Sequence, residues 1–304
     1  MTIAYHKTQF YDLPVIDFKP ELGIENPSAQ VYRIAFDYDK EIDVKEILET
    51  FLNDPRAAEV PALIIGQWRD SYENSPEYLL RLLIEQRDKL PKLKALFVGD
   101  ITFEENEISW IIQSDYAPLL NAFPLLETLG VRGSNELKFS QLRHYSLKTL
   151  IIESGGLPSE IIESVINAKL PALEHLELWL GVERYGFDGS LKTIKPLLEM
   201  GRFPKLRYLG LRDSEMADEI AIEIADAPFL KQLEILDLSM GTLTDKGAQA
   251  LLEGYGINRL KKLDLHHHYL SRTMMEKLER LGIEVDVSEQ QEEDEDERYV
   301  AVSE

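Results

Sequence analysis

The chain has 304 residues, 44% of them apolar, a formal net charge of −22 and no cysteine. The apolar share can fill a sizeable core, and the missing thiols exclude disulfides, thiolate metal sites and cysteine nucleophiles. A body this acidic repels nucleic-acid phosphates and anionic membrane surfaces, and no apolar run of about 18 residues is present to span a bilayer.

In chain order, the N-terminus MTIAYHKTQFYDLP lacks a basic n-region and an apolar h-region, which predicts a cytoplasmic protein. Residues 1–30 read as a cap. Val31, Ile34 and Phe36 give the first LxxLxL spacing, followed by a helical pattern over Val44, Ile47, Leu48, Phe51 and Leu52. Val60/Leu63/Ile65 comes next, and Ser75–Pro76 opens a helix over 78–90, because a serine hydroxyl caps a free N–H and proline fits the first helical position. Leu93/Leu96/Val98 leads to a helix at 108–120. Leu126/Leu129/Val131 leads to a short or 3₁₀ turn near 138–145, and Leu147/Leu150/Ile152 to a helix at 161–166. Leu173/Leu176/Leu178 precedes a loop extension, GVERYGFDG (181–189), and a helix at 194–200. Leu206/Leu209/Leu211, Leu233/Leu236/Leu238 and Leu260/Leu263/Leu265 are followed by helices at 216–224, 243–252 and 270–281. A last strand is predicted at 283–287. Pro91, Pro124, Pro171, Pro204 and Pro228 follow helices, where they stop them.

Nine copies of LxxLxL thus start 21 to 33 residues apart with helices between them. Alternate side chains of a strand face the same way, so the second and third leucines of each copy point inward and neighbouring units bury them. This pattern resembles the leucine-rich-repeat superfamily, in its long-repeat, ribonuclease-inhibitor-like class. The resemblance implies an α/β solenoid over residues 31–287, a right-handed β-α superhelix of about nine units with parallel strands concave and helices convex. The ninth position of each unit departs from the superfamily's Asn or Cys. It is Trp68, Ile101, Ser134, Gly155, Gly181, Ser214, Gly241 and His268.

KKLDLHHHYL (261–270) places three histidines together. His266 is outward on the strand, His267 starts the loop, and His268 fills the ninth position, partly inward. Adjacent strand residues face opposite ways, so the three cannot form one chelating face; no resident metal or cofactor is expected. No nucleotide-binding motif or catalytic triad spacing is present, and the chain reads as non-enzymatic. The rival reading is a metal-binding or hydrolytic enzyme using Asp264, His266 and His175.

Outward third, fifth and seventh positions define the candidate recognition face. The early units offer Arg33/Ala35/Asp37, Ala62/Ile64/Gly66 and Ala95/Phe97/Gly99, a small and apolar set that the FYDLPVIDF stretch can cover. Later units offer Arg132, Glu153, His175, Glu177, Trp179, Tyr208, Arg212, Asp237, Asp264 and His266. Aromatic and arginine side chains dominate interface energetics, and the acids favour a cationic or amide-rich protein or peptide. A monomer is expected.

The tail, SEQQEEDEDERYVAVSE (288–304), carries eight acids and one base from Glu289 onward, leaving −15 for the rest of the chain. Such a run is predicted to be disordered, ending in a short linear motif: Tyr299, Val300, Val302 and Glu304. Together, FLNDPRAAEVPALIIGQW (51–68), the degenerate repeats and the RYVAVSE end resemble a family of bacterial cytosolic leucine-rich-repeat proteins encoded beside radical-SAM and ATP-grasp genes. That resemblance implies a repeat body that docks a modifying enzyme and presents the tail, with the Glu304 carboxylate or Tyr299 as target. It brings no catalytic residues. A host-targeted bacterial effector is a further alternative.

Overall fold

The computed structural model describes residues 2–36, 42–295 and 297–304, so Asp37 and Asp296 lie outside the described residues. The chain is α/β and divides into two compact units, one of residues 3–150 and 168–170, the other chiefly of 151–167 and 171–304.

In the first unit, β1 (Gln9–Phe10) and β2 (Leu13–Asp17) form an antiparallel hairpin. Its two loop residues, Tyr11 and Asp12, have φ of 52° and 57°, the geometry that matches strand twist in a two-residue turn. Then β3 (Val31–Ile34), β4 (Ala62–Gly66), β5 (Ala95–Asp100) and β6 (Thr128–Arg132) follow, each parallel to the one before. Between them lie α1 (Val44–Asn53), α2 (Glu77–Glu85) and α3 (Ala117–Ala122). The five apolar positions that predict α1 are all buried, and Asp43 caps the helix by accepting from Lys45 N.

Segment 108–120 is not one helix. Ile108–Trp110 is a 3₁₀ turn, and the backbone N–H groups of Ile112, Gln113 and Tyr116 donate to Ser71, Asn135 and Lys138 instead of to a helical ladder. The turn expected near 138–145 is an extended, bent segment bridged at Arg143 to Lys169, with Leu137, Phe139 and Leu142 beneath it.

The hairpin covers the apolar strand face of this unit. Phe10 packs with Val31, Ala62, Ile64, Ala95 and Phe97, with Tyr11, Leu13 and Val15 around it. Phe10 meets Phe97 edge-on at 5.9 Å, a pair contributing about 1 kcal/mol beyond burial. Buried Asp100 pins the segment: its carboxylate accepts from Lys7 N and pairs with Arg33 at 3.0 Å and Arg132 at 3.4 Å. Phe18 turns toward the helix side and stacks edge-on against Phe51 and Tyr32.

Strand β7 (Thr149–Glu153) straddles the division between the units. The second unit continues with α4 (Ser159–Ile166), β8 (His175–Gly181), α5 (Leu191–Ile194), β9 (Tyr208–Ser214) and α6 (Ala217–Ala225). It ends with β10 (Ile235–Asp237), α7 (Asp245–Glu253), β11 (Lys262–Asp264), α8 (Arg272–Leu278) and β12 (Glu284–Asp286). Strands β8 to β12 pair in order and all in parallel. Leu209, Leu236 and Leu263 stand side by side in register and are fully buried. The helix expected at 194–200 is instead a single turn, α5, running into a 3₁₀ turn at Lys195–Leu198, because Pro196 cannot donate to a helical ladder.

The tail is not the free, solvated segment its composition predicts. Gln291 N donates to His268 O, the chain turns at Asp294 and Glu297, and Val300, Ala301 and Val302 are buried against the second unit. The Val-Ala-Val run supplies apolar surface that the acidic run lacks, so the end packs although its tether is charged.

Candidate functional site

The strand face of the second unit collects most of the predicted residues. In register, Trp179 faces Arg212, His175 faces Tyr208, and Glu177, Gly210 and Asp237 form a row across β8, β9 and β10. Glycine in the middle of that row matters. A Cβ at position 210 would lie 3.1 Å from the Tyr208 ring and hydroxyl and 3.3 Å from Glu177 Cγ. The phenol therefore lies over Gly210, and its hydroxyl donates to Asp237 Oδ2 at 2.6 Å while standing 3.3 Å from Glu177 Oε2. His175 stacks flat on the same ring at 3.7 Å.

Arg212 ties the network together. Its Nη1 lies 2.9 Å from Glu177 Oε1, its Nε donates to Ser239 Oγ at 2.9 Å, and Nη2 reaches Met240 Sδ at 2.9 Å. Its guanidinium carbon sits 5.3 Å from the centre of the Trp179 ring, whose N–H donates to Glu177 Oε1 at 2.8 Å. Burial alone would raise the Glu177 carboxyl; the contacts from His175, Arg212 and Trp179 outweigh it and hold it well below the usual carboxylate range. Burial would likewise lower Arg212, and the charges of Glu177 and Asp237 raise it instead. For Tyr208, burial and the two carboxylates act together and push the phenol far up, so it stays a hydroxyl donor at every working pH.

A second cluster lies one strand further. Asp264 Oδ1 is 2.7 Å from His266 Nδ1, and Asp264 Oδ2 is 2.9 Å from Lys262 Nζ. The Asp264 hydrogen bond raises the His266 ring above its ordinary value. Asp286 of β12 joins them: one ligand atom each from Asp264, His266 and Asp286 lies within 4.8 Å of the others. Among the described residues these three form the group that could hold a metal. The Lys262 ammonium already neutralises Asp264, and Ser288 donates from both N and Oγ to Asp286. His175 does not join this group. Its strand is three away, about 14 Å at the usual strand spacing. The constellation Asp264, His266 and His175 is therefore not assembled.

The histidine run behaves as three separate groups. His267 is buried at φ 56°, and burial lowers its ring. His268 turns fully inward: Leu270 N donates to its Nδ1 at 3.0 Å, so the ring proton sits on Nε2, which donates to Val287 O at 2.9 Å. This is the backbone-tying work of an asparagine at the ninth position.

Burial redraws the predicted face. Trp179 is only 8% exposed, and Glu177, Asp237, Asp264 and Glu153 are buried as well. Arg132 belongs to the first unit, 3% exposed, where it donates to Ile101 O and pairs with Asp100. His175, Tyr208, Arg212 and His266 are the partly accessible members. Tyr299, 55% exposed, donates to Glu297, and Glu304 accepts from the Tyr185 hydroxyl. Asp286, Ser239 and Met240 were missed as site residues. Asp286 was detectable as an outward position of a short strand and Ser239 as the outward seventh position of its unit, two residues past β10; Met240 is the next residue, where no spacing rule marks it.

A crystal structure of a protein from Bacteroides fragilis matches with 37% identity and a TM-score of 0.80, covering 86% of this chain and 74% of that one. This chain belongs to the family of that Bacteroides fragilis protein. An internalin from Listeria monocytogenes is far more distant from this family member, at 14% identity and a TM-score of 0.38 over 86% of this chain and 73% of that one. No protein-family model and no curated protein matches the sequence. Among the described residues no helix is long and apolar enough to cross a membrane.

Proposed function

We propose that the protein is a non-catalytic, cytoplasmic leucine-rich-repeat solenoid that binds a protein or peptide partner on the strand face of β8 to β11. The observation that carries this reading is the network holding Tyr208. Its ring is sandwiched against His175, its hydroxyl is fixed by Asp237, and Arg212 is fixed by Glu177. Side chains locked before binding lose little conformational entropy on contact, which is what a recognition surface needs. The corresponding face of the first unit is filled by the chain's own Phe10 and its neighbours, so a partner has no access there. The Tyr208 edge lies between the Glu177 and Asp237 carboxylates, which favours cationic or amide groups there.

The resemblance to the family encoded beside radical-SAM and ATP-grasp genes adds a finer proposal: the tail is presented to a modifying enzyme docked on the body. A pull-down with the full chain, with a His175→Ala/Tyr208→Ala double variant and with Val302→Asp tests both parts. Loss of one retained partner in the double variant supports the strand face. Equal retention by all three proteins rejects it. Mass spectrometry of the tail, made with and without its gene neighbours, tests the modification; an unmodified tail in both samples rejects it.

A further inference from the structure

The strand ends of the second unit carry an unusual row. Asp213, next to last in β9, and Met240 and His267, just past β10 and β11, hold equivalent positions, four residues after Leu209, Leu236 and Leu263. All three are non-glycine residues with left-handed backbones, at φ of 55°, 67° and 56°. Ordinary side chains avoid that region, so three such residues in adjacent turns mark a built feature.

The C-terminal segment crosses this row. The Tyr269 hydroxyl bridges the N and O of Tyr299 at 2.8 and 3.1 Å. Ala301 N donates to Met240 O at 2.8 Å, Val302 N donates to Asp213 Oδ1 at 2.8 Å, and Glu304 meets the Tyr185 hydroxyl. Val300, Ala301 and Val302 are buried by this contact. The left-handed turns present a carbonyl (Met240) and a carboxylate (Asp213) to the passing amides.

We propose that Asp213 and Met240, with Tyr269 beside them, form a peptide-docking ridge, and that the chain's own Tyr299–Val302 segment occupies it as a displaceable ligand in cis. The ridge is distinct from the strand face, though joined to it: Met240, whose carbonyl holds Ala301, also receives Arg212 on its sulfur. Three features make the docking reversible. Only three small apolar side chains are buried. The approach through Glu292, Glu293, Asp294, Glu295 and Glu297 repels itself. Asp213 has no exposed surface, and among the described residues its Oδ2 has no hydrogen-bond partner, a burial that undocking relieves by readmitting water. Burial also raises the Asp213 carboxyl well above its ordinary value, against the Val302 amide and the Arg212 charge. Docked and released tails expose different surfaces, so a partner that takes Val300 and Val302 competes with the ridge.

Hydrogen exchange on the full chain, read by NMR, tests this. The amides of Ala301 and Val302 should exchange at least about tenfold slower than in a free peptide and about a hundredfold faster than those of Leu209 and Leu236. Ala301→Pro removes one amide and Val302→Asp removes the apolar contact. In each, the remaining tail amides should reach free-peptide rates with the core unchanged. Each variant should also bind an added peptide of residues 298–304 at least about tenfold tighter than the wild type, whose ridge is filled. Tail amides as slow as the core, tail amides unprotected in the wild type, equal peptide binding by wild type and variants, or a dimer that exchanges tails would each overturn the proposal.

Discussion

The Tyr208 hydroxyl donates to Asp237 Oδ2 at 2.6 Å, across the β9–β10 pair and over a glycine left bare for it. The bond fixes an aromatic ring at a part of the strand face that stays partly open.

Gly210→Ala pushes a methyl group to 3.1 Å from the phenol, which has to move. The cost should be about 1 kcal/mol in urea unfolding, from local overpacking. In a Tyr208→Ala background the same change should cost clearly less, since of its tight contacts only Glu177 Cγ at 3.3 Å remains. A cost unaffected by Tyr208 would place the strain in the backbone instead.

Glu177→Gln takes from the Arg212 guanidinium, in a largely buried site, its closer charge partner and leaves Asp237 at 3.4 Å. The loss should be about 3 kcal/mol. The pH dependence follows from the sign of the shift. The folded carboxyl lies below its ordinary 4.5, so its stabilisation is complete above pH 4.5 and falls away as pH drops toward the folded value. Urea midpoints from pH 6 down to about pH 3 should therefore slope less steeply in the variant. Parallel slopes would deny Glu177 that role.

His268 ties Leu270 N to Val287 O from a fully buried ring. His268→Ala should cost about 2 kcal/mol by leaving both backbone groups unsatisfied, while His268→Asn, able to bond both, should recover roughly half. Burial lowers this ring below its ordinary 6.5, so the wild type should lose stability as pH falls below 6.5. His268→Asn should lose less over the same range, a comparison that thermal melts at pH 7.5 and 5.5 settle.

Lys262 occupies the acidic corner where Asp264, His266 and Asp286 meet. Equilibrium dialysis of the full chain against Zn²⁺ at about 10 µM should retain well below one equivalent, because an ammonium already satisfies Asp264. Retention of a full equivalent that His266→Ala abolishes would make the corner a metal site.

The α/β alternation was legible because LxxLxL sets the inward face directly: Leu209, Leu236 and Leu263 needed only their spacing to be placed side by side. The inward turn of His268 followed from its ninth position in the same way. The interruption of 108–120 was not legible, since its apolar spacing is helical and only the distant acceptors Ser71, Asn135 and Lys138 draw its amides away. Trp179 was placed on the correct face but read as open. Whether a strand-face ring is covered depends on where Arg212, two positions beyond a glycine on the next strand, lays its guanidinium. The tail failed for a related reason. Composition reports that an acidic run cannot pack, and it is silent about a carboxylate at Asp213 waiting 89 positions earlier in the chain.

The recognition claim is tested most directly by selecting peptides on the immobilised full chain from a random display library, then titrating the strongest binder calorimetrically into wild type and Tyr208→Ala. The strand face predicts lysine-, arginine- or amide-rich sequences and an affinity loss of at least about tenfold in the variant. Equal affinity for both proteins would contradict it.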